Sequence, residues 1–383
     1  MMKSVRIAVV HDWVTGMRGG ERVLDVLARA FPDSDLYTLF YKPGVSSVAI
    51  DSLQPEVSPL GRLPGVTRYY RSLLPLYPWA ADQLDIEGYD LVLSVSHAVA
   101  KNVSLPNGIP HLSYCLTPMR YVWDQVDAYL GHGPRRVLAA PLVHALRRYD
   151  RQRSEAERVH RFVAISNTVA SRIEQHYGRS STVVFPPVDT ERIRPSGSEP
   201  EDFYLLVGGF VPYKQEEIAI EAFRGRKEEL VVVGDGPARA RLMKGAPSNV
   251  RFTGRITDEE LVGYFQRCRA LIYPQEEDFG IAAVEAQAAG RPVIAYGRGG
   301  SLDTVRPLLT VGADGEVVAS GQSGCTGLFF AEQSSRNLAL ALDAFRDRQD
   351  ELDGSEIRHH AEGFAEERFV DEMKREMGFL IGP

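Results

Sequence analysis

Cysteine is scarce in this chain. Its three residues, Cys115, Cys268 and Cys325, stand too far apart to suggest a zinc cluster or a disulfide framework. They are expected as buried thiols in a reducing cytoplasm. No run of about eighteen apolar residues occurs, so no membrane-spanning helix is expected. A signal-peptide pattern is missing as well, because Val5 to Val10 reads as a buried strand leading straight into His11-Asp12. So is the Gly-x-Gly-x-x-Gly fingerprint of dinucleotide binding. Charge of either sign is in no great excess: 44 Lys and Arg stand against 51 Asp and Glu, a net charge of −7. Nothing in that balance points to nucleic acid.

What is present is a soluble α/β composition over 383 residues, enough for two domains that each bury a core. Through Pro186 there are 21 basic and 17 acidic residues, and beyond it 23 and 34. A basic and an acidic half fit two domains with different ligands. Strand–loop–helix units repeat in both, which predicts two doubly wound, Rossmann-like α/β domains facing a central cleft. Val183 to Asp189 resembles the crossing of a known two-domain family, giving domains at 1–187 and 188–361. The same resemblance implies that a last helix, 362–383, crosses back to the first domain.

The most informative stretch is Tyr273 to Gly300. An apolar run ending at Pro274 reads as a buried strand, an acidic loop follows, and Ile281 to Ala289 reads as a short Ala-rich helix closed by Gly290. Glu277 falls on the loop and Glu285 in the helix's second turn. Between them Phe279, Gly280 and Ile281 present backbone N–H groups at a helix start, where free donors and the dipole favour an anion. A carboxylate on each side of an anion hole suits a diphosphate with hydroxyls at both ends, as in a nucleotide sugar. Two Glu at this spacing alone suit an acidic loop before an amphipathic helix equally well.

EEDFGIAAVEA, with Glu277 and Glu285 eight positions apart, resembles the signature of the retaining glycosyltransferases of family 4, which have the GT-B fold. That resemblance puts Glu277 on the sugar hydroxyls and Glu285 on the nucleotide ribose. It places Lys214, in GGFVPYKQEEIAIEAF, on the diphosphate, and Gly234 and Arg255-Ile256 on glycine-corner and base-edge segments. Gly209 stands where the family often has arginine. Met17-Arg18-Gly19-Gly20 before a helix lets a phosphate approach the backbone, although a tight turn would also require glycine. In the family this loop faces the donor diphosphate, so Gly19 and Gly20 take that role. Asp33-Ser34-Asp35 mimics the Asp-x-Asp that holds Mg²⁺ in a different glycosyltransferase fold. Between a helix end and the strand Leu36–Leu39 it reads as a solvated connection.

SVSHAVAK, around His97, and HLSYCLTPMRYVWD resemble a bacterial O-antigen mannosyltransferase subgroup. The resemblance assigns His97, Leu116, Arg120 and Trp123 to the sugar or acceptor side, with Leu116 replacing a histidine usual near the donor sugar. Arg62 to Leu84 mixes Arg, Tyr, Trp and Pro, and eight Arg lie between Arg135 and Arg161. Both stretches suit an anionic membrane surface, at about 1 kcal/mol per basic residue; inward-packed aromatics and a solvated helix would look the same.

The resemblance therefore implies a retaining, metal-independent hexosyltransferase in surface polysaccharide (lipopolysaccharide) synthesis, mannose-like sugar favoured. Glu277, His97 and Lys214 carry the reaction. The donor is a nucleotide sugar, GDP-sugar favoured over UDP- or dTDP-sugar, and no cofactor is needed. The acceptor is a glycan or lipid-linked glycan at the cytoplasmic face of the membrane. A 6-deoxyhexosyltransferase, a non-catalytic nucleotide-sugar sensor and a nucleotide-sugar epimerase are the alternatives.

Overall fold

Strand β1 (Ile7–Val14) is largely buried on both faces, as befits a strand in the middle of a parallel sheet. It pairs in parallel with β2 (Asp35–Tyr41) on one side and β4 (Leu91–Ser96) on the other. The chain is described here from a computed structural model that covers residues 5–124, 126 and 133–381. It divides into two units, residues 1–187 with 367–383, and residues 188–366.

In the first unit, β3 (Glu56–Val57), β5 (His111–Cys115), β6 (Arg161–Ala164) and β7 (Thr182–Val183) complete a parallel sheet of order β3-β2-β1-β4-β5-β6-β7. Strand order reverses between β1 and β4. That switch point opens a crevice at the strands' carboxyl ends. The helix Gly19–Ala30 follows β1 and buries Val23, Leu24, Leu27 and Ala28. Each fully buried leucine contributes about 1.5–3 kcal/mol. Its start is capped by Glu21, which accepts from the Arg18 amide.

The second unit repeats the plan. Strands β8 (Phe203–Gly208), β9 (Glu229–Gly234), β10 (Val250–Gly254), β11 (Leu271–Tyr273), β12 (Val293–Tyr296), β13 (Pro307–Val311), β14 (Val317–Ala319) and β15 (Gly327–Phe330) form one sheet. Its order is β10-β9-β8-β11-β12-β15-β13-β14, parallel except that β14 runs antiparallel to β13. Here the reversal lies between β8 and β11.

The expected single helix from residue 362 is two, Gly354–Glu362 and Glu366–Ile381. The break has a cause. Val188 N–H donates to the Phe364 carbonyl and pairs with Ala365, which draws the intervening residues out of helical geometry. The second helix belongs to the first unit, where Arg368 donates to the Phe185 carbonyl and Phe369 packs on Tyr114.

The aromatic stretch 62–84 folds as short 3₁₀ turns and a helix, Tyr77–Asp82. Tyr70 and Tyr77 are buried, whereas Trp79 is half exposed. The arginine-rich stretch forms the helix Pro134–Arg153, on which Val137 and Leu138 face solvent.

Candidate active site

In the second unit the loops after β8 and β11 meet at the switch point, because those two strands are neighbours in the sheet. Lys214 comes from the first loop and Glu277 from the second. Their Nζ and Oε1 atoms are 2.7 Å apart. Burial works against the Lys214 charge, but the Glu277 carboxylate outweighs it and holds the ammonium above its ordinary pKa. The other Glu277 oxygen accepts from the Tyr273 hydroxyl at 2.6 Å. Tyr273 is itself buried, and burial together with that carboxylate keeps its phenol protonated. Glu277 is thus oriented by two neighbours while its side chain stays partly open to solvent.

The helix start expected to hold an anion lies beside this pair. Gly280 caps the helix Ile281–Ala288 at φ 100°, a conformation costly for any other residue. The first amides of that helix have no intrahelical acceptors. Phe279 contributes its main chain only, since its ring is buried against Phe364. Gly300 crosses directly over the loop and donates from its amide to the Glu277 carbonyl at 2.7 Å. Gly234 ends β9, where a Cβ would lie 1.9 Å from the Gly208 carbonyl oxygen. By contrast, a Cβ at Gly209 would meet nothing within 4 Å, so a larger side chain has room there. Arg255 is exposed, near Asp235 at 3.4 Å, and Ile256 follows it ahead of the helix Asp258–Arg267.

Glu285 is 5% exposed on the inner side of the helix Ile281–Ala288. The Arg192 guanidinium lies 4.0 Å from its carboxylate. If Glu285 holds the ribose, Glu285→Ala should weaken donor binding by about 1.5–3 kcal/mol, the usual strength of a hydrogen bond to a charged group. Calorimetry with the wild type and the variant measures this, and equal affinities would refute the ribose role.

In the first unit the carboxyl ends of β1 and β4 carry Asp12 and His97. Asp12 is fully buried and accepts four backbone N–H groups: His97 (2.6 Å) and Ala98 (2.9 Å) on Oδ2, Val99 (2.6 Å) and Ala100 (2.7 Å) on Oδ1. Burial alone would raise its pKa. The two nearby histidines and these amides reverse that and leave it lowered. His97 stands edge-on to Trp13, with ring centroids 4.4 Å apart. Its pKa is lowered, chiefly by burial and further by Arg120 and Arg18, with Asp12 opposing. His11 donates from Nδ1 to the Val95 carbonyl, and its Nε2 is buried with no hydrogen-bond partner. Gly20 lies beside that ring. A Cβ there would be 3.4 Å from His11 Cε1 and 2.9 Å from a Leu116 methyl. His97, Leu116, Gly20 and Arg120 therefore gather around one crevice, and Gly19 starts the helix next to it.

Trp123 goes elsewhere. Its indole N–H donates to Asp150 at 2.8 Å, and its ring stacks on His176 and carries Arg147 and Arg151 over it. Asp150 is a buried hub, also bonded to Lys101, Asn102 and Tyr177. A carboxylate with no solvent must collect such donors. Its donor therefore serves the scaffold.

Sequence reasoning overlooked Asp12, His11, Tyr273, Arg192 and the Asp150 hub. A signal for Asp12 existed, because a charged residue inside an otherwise apolar strand seldom lacks a partner. Asp33 is exposed, and Asp35 accepts from the Tyr89 hydroxyl. Among the described residues no three His, Cys, Asp or Glu side chains converge as metal ligands would.

Comparison with known proteins gives matching results for both halves. The family model "Glycosyltransferase Family 4" matches residues 17–192, and "Glycosyl transferases group 1" matches residues 188–355. The chain is 37% identical over 101 residues to O-antigen chain mannosyltransferase C of Escherichia coli, covering 24% of this chain and 27% of that protein. It is 36% identical over 99 residues to D-rhamnosyltransferase WbpZ of Pseudomonas aeruginosa, covering 24% and 26%. The matched segments thus span about a quarter of the length of these curated relatives. Among solved structures, that of HepE from Anabaena in complex with UDP superimposes with a TM-score of 0.68 at 15% identity, covering 98% of this chain and all of that one.

Proposed function

This chain belongs to the family 4 glycosyltransferases and has their GT-B fold, and from that premise we propose that it transfers a hexose, mannose-like, from a nucleotide-diphosphate donor to a hydroxyl of a glycan or lipid-linked glycan. The observation that carries this reading is the Lys214–Glu277 pair at the β8/β11 switch point, beside the start of the helix Ile281–Ala288. As the bond from the anomeric carbon to the diphosphate oxygen breaks, negative charge grows on that oxygen. Lys214 and the helix amides offset it without a metal. Glu277 accepts hydrogen bonds from the sugar hydroxyls, and the new bond forms on the same face, so the anomeric configuration is retained. GDP-sugar is the donor we favour.

Leu116 supports a second reading, a 6-deoxyhexose donor. An apolar side chain offers no hydrogen bond to a 6-hydroxyl and packs against a 6-methyl, worth about 0.8 kcal/mol. A D-rhamnosyltransferase stands among the relatives, and rhamnose is a 6-deoxyhexose.

Thermal shift with GDP, UDP, dTDP and their sugars, in EDTA, tests both. A ligand at 100 times its Kd adds about 2.7 kcal/mol. We expect stabilisation by GDP-sugars and, with acceptor, turnover that keeps the anomeric configuration. Preference for a 6-deoxy donor over its 6-hydroxy counterpart selects the second reading. Binding without turnover, or epimerised donor in the absence of acceptor, overturns transfer in favour of a sensor or an epimerase. Activity lost in EDTA and restored by Mg²⁺ overturns the metal-free mechanism.

A further inference from the structure

We propose that Asp12 is the positioning residue of His97: its carboxylate clamps the turn that carries the imidazole and holds Nδ1 toward itself, so that Nε2 is presented to the reacting sugar. The inference rests on the glycosyl transfer proposed above. It starts from an arrangement that neither the family match nor the signature residues assign.

Four amides in a row, from His97 to Ala100, converge on one buried carboxylate. Taken alone, this is a buried carboxylate on β1 collecting the backbone donors that it needs. The additional fact is where the same oxygens point. Asp12 Oδ2, which already accepts two amides, also lies 3.2 Å from His97 Nδ1, and that nitrogen makes no hydrogen bond. The contact is therefore electrostatic, and the full burial of Asp12 strengthens it. It favours a proton on Nδ1 over one on Nε2, and the imidazolium over the neutral ring. The charges facing His97 are otherwise cationic, Arg18 and Arg120, and His11 lies beyond with its ring centroid 5.8 Å away. Without Asp12 those cations would act unopposed. Trp13, packed edge-on, restricts the ring further. One residue thus sets the position, tautomer and charge of the imidazole.

The test uses the full chain with Asp12→Asn, His97→Gln and the double variant. An asparagine keeps the shape but turns two of the four amide contacts into donor-on-donor clashes, and it removes the charge. We expect kcat to fall about a hundredfold in each single variant, within the range for positioned proton-handling groups. Donor Kd should change much less than kcat, because the proposed ribose and diphosphate partners Glu285 and Lys214 lie in the second unit. The double variant should be no slower than the worse single, since both act through one ring. The His97 titration, followed by NMR, should move to lower pH in Asp12→Asn, because a negative charge that favoured the protonated ring is gone. Additive losses in kcat, or an unmoved titration, would overturn the proposal. If Asp12→Asn does not fold, the wild type still decides: ring ¹⁵N shifts should show neutral His97 protonated at Nδ1, and an Nε2–H tautomer refutes the role. A wild type that transfers no sugar rejects the underlying function, which is a separate outcome from turnover that ignores Asp12.

Discussion

Replacing Lys214 by alanine will lower kcat about 10²- to 10³-fold, the range seen when one group aimed at developing charge is removed. Lys214 places its ammonium 2.7 Å from the Glu277 carboxylate. Its charge is secure at neutral pH because Glu277 raises its pKa. In the resting protein it neutralises that carboxylate; with donor bound, the same ammonium can turn to the leaving diphosphate. The variant loses stabilisation that grows as the bond breaks, so kcat should fall more than donor affinity does. Lys214→Arg will rescue only in part, because a planar guanidinium is bulkier than the compact ammonium and places its donors in a fixed fork. Single-turnover rates with saturating donor, alongside calorimetric Kd values, separate the two effects. A loss confined to Kd would mean that Lys214 only binds.

Gly300→Ala should be a strongly damaging conservative change in the second unit's site. A Cβ there would sit 2.3 Å from Phe279 Cα and 2.5 Å from its nitrogen and oxygen. These are backbone atoms that cannot swing aside as a flexible side chain does. Phe279 is pinned by its ring against Phe364, and Gly300 is tied to the Glu277 carbonyl. One of the two segments must move, and moving either displaces Glu277. Overpacking of this kind costs about 1–3 kcal/mol, which lowers Tm by roughly 5 °C in a unit of this size. Donor binding should be lost even below the new Tm. Thermal unfolding and calorimetry check both, and unchanged values for both would mean that the loop yields without penalty. Gly209→Ala is the internal control: its methyl enters open space and should leave stability nearly unchanged.

Much of this was legible in the chain itself. Runs such as Leu91–Ser96 and Leu230–Val233, buried on both faces, can only be parallel strands covered by helices. Local rules therefore determine two doubly wound units and the crossing near Val188. Glu277, Gly280 and Glu285 fall within nine residues of one another, so their shared loop and helix are legible locally, and the flanking Phe279 and Ala-rich helix carry the resemblance to family 4. Contacts at long sequence separation were decided by tertiary structure. Asp12 meets residues 97 to 100, Lys101 meets Asp150, and Lys214 meets Glu277 only because sheet order brings distant strand ends together. Trp123 shows the same limit from the other side. Its neighbours in sequence resemble a sugar-binding segment, yet a buried carboxylate 27 residues away needed a donor, and the cost of leaving that charge unpaired in the core fixed where the indole points.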